Sequence, residues 1–250
     1  MERQVALVTG GTRGLGRAIA ERLLEDGYDV AVCGRRLPET PVSVGGREAV
    51  AFAADVRDAA AAQALIAQVV DRFGGLSLLV NNAGGSPEAD LATSSASLIE
   101  KVIALNLLAP LYLCRAAHAA LVSAGGSVVN IASISGRRAA PGTVAYGAAK
   151  AGLLNATQGL AMEWAPDVRV NVVVVGLVEN PEQAEHYGGA AGIARISAMV
   201  PMQRMARGSD VAGAVAWLAS PQAAYITGAA IEVHGGGEVP AFLALSRSEA

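Results

Sequence analysis

Val5-Ala-Leu-Val-Thr-Gly-Gly-Thr-Arg-Gly-Leu-Gly16 begins as a short continuous apolar run and breaks into glycines. An apolar run of this length, with no polar alternation, fits a strand covered on both faces, as in a parallel sheet. Gly10, Gly14 and Gly16 follow it in a GxxxGxG spacing, and an Ala/Leu-rich helical stretch then runs to about Glu25. Glycine permits the tight strand-to-helix turn. It also lets backbone approach an anion at the helix N-terminus, where free N–H groups and the helix dipole favour negative charge. A plain structural turn would use the same residues, so the loop gains its meaning from its place between a strand and a helix.

The same alternation continues along the chain. Tyr28–Cys33, Ala49–Ala54, Leu78–Val80, Ser127–Ile131, Val170–Val175 and Ala230–Val233 read as strands. Helical stretches lie between them: one from Asp58, a capping residue, to about Phe73; one from about Ser95 to Ser123 with a break near Asn106; one over Tyr146–Trp164; and one over residues 209–220, capped by Ser209 or Asp210. Such alternation predicts an α/β fold, a doubly wound Rossmann-type parallel sheet of about seven strands with helices on both faces. No composition shift marks a linker, so residues 1–250 are read as a single dinucleotide-binding and catalytic domain. Arg36–Arg47 holds Pro38 and Pro41 where a crossover helix belongs, which predicts an irregular loop or a single turn instead.

Composition excludes several classes. Hydrophobic residues make up 52%, aromatics 4%, and the net charge is −3, which argues against disorder and against a nucleic-acid partner. Cys33 and Cys114 are far apart and form no CxxC pair, so neither a disulfide framework nor a metal site follows from them. No apolar stretch is read as approaching the ~20 residues of a membrane span, and the start Met1-Glu-Arg-Gln4 leaves no room for a signal peptide. Two reduced thiols and no leader predict a cytoplasmic protein.

Strand two ends in Val32-Cys33-Gly34-Arg35-Arg36, without the acidic residue that would bond a ribose 2′-hydroxyl. Arg35, with Arg13 in the glycine loop, is suited to a 2′-phosphate, which predicts NADP, with NADPH favoured over NADH. Both arginines are also compatible with ordinary surface charge.

With its remaining motifs the chain resembles the short-chain dehydrogenase/reductase family, 3-oxoacyl carrier-protein reductases most. The landmarks run in order from Val5 to about Gly237: the Thr9–Gly16 loop, Asp55-Val56, Asn81-Asn82-Ala83-Gly84, Asn106, Ser133 and Tyr146-Gly-Ala-Ala-Lys150. The resemblance implies catalysis by Asn106, Ser133, Tyr146 and Lys150. Tyr146 would exchange a proton with the substrate oxygen, Ser133 would bond that oxygen, and Lys150 would hold the nicotinamide ribose. Tyr146 and Lys150 stand one helical turn apart and share a face. The ammonium and the oxidised nicotinamide are expected to lower the tyrosine pKa from ~10. The resemblance further implies cofactor contacts from Gly10, Thr12, Arg13, Gly14, Leu15, Gly16, Arg35, Asp55 (to the adenine amino group), Val56, Asn82, Ala83, Gly84, Tyr146, Lys150 and the backbone of Val178. In the family the Asn106 carbonyl holds a relay water. Here Pro110, four residues on, lacks the N–H that would engage that carbonyl, so a kink is expected at Asn106. Pro110 is equally suited to opening the next helix.

The chain departs from the family after strand six, where Val175 and Asn180 replace a usual Pro and Thr. Residues 181–207 are expected to form a substrate lid. Met199, Met202 and Met205 would share a helical face, either packed or lining a pocket. His186 reads as a loop residue, and Arg204 and Arg207 as solvated charges or as attractors of an acidic carrier. The expected partners are a small carbonyl or alcohol, possibly linked to a carrier protein or coenzyme A, and further copies of the chain. The resemblance implies a homotetramer or dimer through the helices holding Leu107–Ser123 and Tyr146–Trp164, with the tail 238–250 against a neighbour. Rival readings are a dehydrogenase of a cyclic alcohol, sugar, steroid or polyketide, and a non-catalytic NADP-binding protein.

Overall fold

The computed structural model describes residues 4–179 and 187–240. Seven strands form one parallel sheet: β1 (Val5–Thr9), β2 (Asp29–Gly34), β5 (Val50–Ala53), β6 (Leu78–Asn81), β7 (Ser127–Ser133), β8 (Arg169–Val175) and β9 (Ala230–Val233). Their order is β5-β2-β1-β6-β7-β8-β9. The chain winds outward from β1 in one direction and from β6 in the other, so the crevice between those two strand ends is a topological switch point, where such sheets bind ligands.

Every residue of β1 is buried, which its uninterrupted apolar run anticipated. Helices cover both faces. Ile19 and Leu23 of α1 (Gly14–Glu25) and Val211, Val215 and Leu218 of α7 (Gly208–Ala219) pack on one side. Leu65 and Val69 of α2 (Ala59–Phe73) and Leu113, Ala117 and Leu121 of α4 (Ala109–Ala124) pack on the other. Each fully buried leucine contributes about 1.5–3 kcal/mol. The helix stops match their residues: Asp58 accepts the Ala61 N–H at the start of α2, and Gly74, at φ +84°, ends it in the left-handed conformation that glycine adopts without strain.

Four expectations are corrected. The crossover after β2 contains no helix, as expected, but it is not wholly irregular: β3 (Ser43–Val44) and β4 (Arg47–Glu48) pair as a minimal antiparallel hairpin turning at Gly45 and Gly46, both at positive φ. The N-cap of α7 is Arg207, not Ser209 or Asp210. Asp210 sits at the third helical position and accepts the Arg207 N–H at 2.7 Å, as the reaching-back half of a capping box. The helical run Ala96–Ala124 is long and apolar enough to cross a membrane, contrary to the reading of the sequence. In the fold its second half serves as a core element through Leu113, Ala117 and Leu121. The three methionines share no face: α6 (Gly189–Met199) ends at Met199, Met205 is fully buried, and Met202 is exposed. Asn180, His186 and the tail 241–250 lie outside the described residues.

Candidate active site

The glycine loop turns from β1 into α1 under close restraint. Gly10 stands at φ +63°, and a Cβ on Gly16 would fall 2.3 Å from the Gly10 carbonyl oxygen and 2.4 Å from the Asn82 amide, so no larger residue fits there. At the start of α1, Arg13 is extended and caps nothing with its side chain, and the first turn carries no acid. No N-cap side chain closes this end, and Gly14 beside it is exposed with open space around its Cα. This cradle fits the pyrophosphate of a dinucleotide. Leu15 instead turns partly into the core.

Asn82 plays a part that its motif did not reveal. Its side-chain amide donates to the Thr9 carbonyl at 2.8 Å, and its backbone N–H and that of Ala83 donate to the Thr9 hydroxyl, each at 3.0 Å. Asn82 thus ties the end of β6 to the glycine loop and sets the width of the crevice. At the far end of the cleft, Arg35 is exposed just beyond β2. Asp55 follows β5 and is held by Arg57, whose side chain reaches back to both carboxylate oxygens. That contact holds the Asp55 carboxyl below the usual carboxylate range. Val56 beside it is buried.

Between the α3 helix (Ala96–Ile103) and α4 the chain opens into a π turn over Ala104–Leu108, where the Ala109 N–H donates to the Ala104 carbonyl. Pro110 supplies the cause by removing the donor that would serve the Asn106 carbonyl in a regular helix. Pro110 also stands in the first turn of α4, directly after its first residue, Ala109. The side chain of Asn106, fully buried, clamps the loop after β6: Nδ2 donates to the carbonyls of Gly85 and Val102, and Oδ1 accepts the Gly85 N–H, all at 2.9 Å. This clamp was not legible in the sequence.

Ser133 ends β7. Tyr146 and Lys150 lie in the first two turns of α5 (Val144–Trp164). The Ser133 side chain lies beside the Tyr146 phenol and favours its ionised form, and the Lys150 ammonium sits 5.6 Å from the centre of the Tyr146 ring. Lys150 is 3% exposed, and its Nζ donates to the Ile131 carbonyl at 2.8 Å. A Cβ on Gly84 would come within 2.9 Å of Asn106 Oδ1 and 3.2 Å of Lys150 Nζ, so Gly84 is the point where loop, Asn106 and lysine converge. All four expected catalytic residues therefore meet at the C-terminal edge of the sheet. Gly176 has an internal need: a Cβ there would stand 2.6 Å from His234, just past β9.

Electrostatics at the site differ from the simple expectation. Burial brings the Lys150 pKa down to about 8. Burial likewise raises Tyr146, outweighing the opposite influence of Ser133, and Tyr187 adds to the rise. In the protein alone the phenol is thus held protonated, and the expected lowering would require the positive charge of an oxidised nicotinamide. A buried chain of side-chain bonds supports this edge from below: Asn81 Nδ2 donates to Asn130 Oδ1, and Asn130 Nδ2 to Thr157 Oγ1, both at 2.9 Å. It joins β6, β7 and α5 one residue short of Ile131.

Ser86, Pro87, Leu91, Leu98, Ile99 and Val144 line a small pocket, bridged where the Ala89 N–H donates to the Gly142 carbonyl. The segment expected to form a lid is joined between its two ends. Val178 and Ala206 form a parallel bridge, the Ala206 N–H donates to Leu177 and the Glu179 N–H to Ala206, each at 2.8 Å. Arg204 grips Asp210 with two bonds of 2.6 and 2.9 Å, so it is a partly exposed charge engaged with α7.

Comparison with known proteins agrees with this arrangement. Residues 10–238 match the family model described as enoyl-(acyl carrier protein) reductase. The chain is 36% identical over 241 residues to granaticin polyketide synthase putative ketoacyl reductase 2 of Streptomyces violaceoruber, covering 94% of this chain and 96% of that one. A variant of actinorhodin polyketide ketoreductase, solved with NADPH, superposes with a TM-score of 0.88 at 35% identity, covering 94% and 97%. Ligand-free aldohexose dehydrogenase of Thermoplasma acidophilum gives 0.87 at 30%, covering 94% and 93%. With a family match over nearly its whole length and the four site residues assembled at the switch-point edge, the chain belongs to the short-chain dehydrogenase/reductase family and is an oxidoreductase.

Proposed function

We propose that the protein is an NADPH-dependent carbonyl reductase acting on 3-oxoacyl-type substrates, carrier- or coenzyme-A-linked. The observation that carries this reading is the assembly of Ser133, Tyr146 and Lys150 beside the uncapped N-terminus of α1. The dinucleotide supplies the hydride when bound. Tyr146, kept as a neutral phenol by burial, gives its proton to the substrate oxygen as negative charge develops there, and Ser133 donates a second hydrogen bond to the same atom. Lys150, with its pKa near 8, gives up a proton readily close to neutral pH. It refills the phenol through a water held at the Asn106 carbonyl, which the π turn leaves without its Pro110 partner. The Val178 backbone is assigned to the nicotinamide amide. Arg13 and Arg35 are assigned to the 2′-phosphate, supported by the lack of an acid at the tip of β2.

The similarity to ketoacyl and polyketide reductases supports the substrate class. A second reading, oxidation of a sugar or polyol, is favoured by the similarity to aldohexose and sorbitol dehydrogenases. A panel of 3-oxoacyl thioesters, cyclic ketones and sugars, followed by NADPH absorbance, decides between them. Turnover of the thioesters at least tenfold above the sugars is expected, and the reverse order would overturn the first reading. Equal use of NADH and NADPH, unchanged by Arg35→Ala, would remove the cofactor assignment. We further propose a cytoplasmic homotetramer or dimer associating through α4 and α5. Met162, 85% exposed on α5, and a cleft lined by Leu111, His118, Leu160 and Trp164 support that face as the contact. Light scattering on the purified protein tests it.

A further inference from the structure

Three loops meet at the far end of the cofactor cleft, and each delivers an arginine. A Cβ on Gly34 would stand 3.1 Å from the Thr12 hydroxyl, which places the tip of β2 against the glycine loop. The Ala54 N–H donates to the Gly34 carbonyl at 2.9 Å, which places the end of β5 against that same tip. Arg13 follows Thr12, Arg35 follows Gly34, and Arg57 lies three residues beyond Ala54. The single acid among them is Asp55, and Arg35 lies near enough to help hold its carboxyl ionised.

An unpaired carboxylate here would act against a 2′-phosphate through charge repulsion. In this chain the carboxylate is occupied. Arg57 Nε donates to Asp55 Oδ1 at 2.9 Å and to Oδ2 at 3.2 Å, and Nη2 donates to Oδ2. The Arg57 backbone N–H adds a fourth bond to Oδ1 at 3.1 Å. The pair is partly exposed, 30% for Arg57 and 39% for Asp55, so its worth to folding is small. Its consequence for a charged ligand is larger, because it offsets the negative charge beside Arg35. We propose that Arg57 is a positioning residue for cofactor choice: by engaging Asp55 it makes the adenosine end of the cleft selective for a nucleotide phosphorylated at the 2′-oxygen. This inference rests on the NADPH reading and deepens it.

Calorimetric binding of 2′,5′-ADP and of 5′-ADP separates the two without any turnover. Wild-type protein is expected to bind 2′,5′-ADP at least tenfold more tightly. Arg57→Ala is expected to weaken 2′,5′-ADP about tenfold or more and to leave 5′-ADP within about threefold. Arg57→Lys, which keeps the charge, should retain most of the preference, and Asp55→Asn placed on Arg57→Ala should restore it in large part. In turnover, the KM for NADPH should rise in Arg57→Ala while kcat stays within twofold. A wild-type protein with no preference would defeat the NADPH reading and this inference together. A wild-type preference that survives Arg57→Ala, or an equal loss for both nucleotides, would defeat the inference alone. Failure of the double variant to recover any preference would defeat the charge-cancelling role of Arg57.

Discussion

Lys150 is an ammonium enclosed by protein, and its Nζ donates to the Ile131 backbone carbonyl. Its pKa of about 8 against an ordinary 10.5 has a thermodynamic consequence. For a base whose folded pKa is depressed, the unfolded chain binds more protons between the two values, so stability increases as pH rises through that window. Below pH 8 the native state must carry the buried charge and bears the full penalty. Linkage between these values gives a gain of about 2–3 kcal/mol for the cofactor-free protein between pH 7 and pH 10. Lys150→Met keeps the length of the side chain and removes the titration. The assay is urea unfolding of both proteins at pH 7, 8, 9 and 10, with the difference in unfolding free energy plotted against pH. Removing the Ile131 bond costs the variant a constant amount. The slope therefore reports the proton, and wild type should gain on the variant by about 2–3 kcal/mol across the range. A difference that stays flat within about 0.5 kcal/mol, or falls with pH, would refute the claim that burial controls this lysine.

Other outcomes follow from the same geometry. Tyr146→Phe should lower kcat by about 10²–10⁴-fold with an unchanged melting temperature, read by steady-state kinetics and a thermal scan. Asn106→Ala leaves the Gly85 N–H and carbonyl without partners and should cost about 2–4 kcal/mol in urea unfolding. Asn106→Asp, which keeps only the acceptor, should fall between it and wild type. Gly16→Ala drives a methyl group into the Gly10 carbonyl and should weaken dinucleotide binding by at least about tenfold, with about 1–3 kcal/mol lost from the fold, measured by fluorescence titration and unfolding.

The sequence disclosed the sheet because parallel strands buried on both faces are mostly apolar, as in Val5–Val8 of β1 and the four valines Val172–Val175 of β8. It disclosed Ser133, Tyr146 and Lys150 through their spacing, since two of them share one turn of helix and the third ends the neighbouring strand. It did not disclose what the asparagines do. Asn82, Asn106, Asn81 and Asn130 each bond to backbone or side chains tens of residues away, and no local pattern encodes a partner at that distance. The same holds for Arg204, whose carboxylate partner is fixed by where α7 begins. The Tyr146 shift was misread from sequence because the spacing shows the nearby ammonium but not the burial that outweighs it. The hairpin Ser43–Glu48 was missed because two-residue strands are too short to carry a period.

The stapled base of the lid has a meaning for how the family diversifies. Leu177, Glu179 and Ala206 bond to one another across the two ends of the segment, and the ring they close is independent of what lies between them. The entropy of bringing those ends together grows only slowly with the number of residues enclosed. Residues 199–205 are tied down in addition, through Met199, Met202, Arg204 and the buried Met205, so a change of length or sequence is expected to be tolerated ahead of Met199, while β7 and α5 keep the proton machinery at a fixed spacing. A scaffold joined in this way lets selection rewrite which molecule enters without rewriting the reaction.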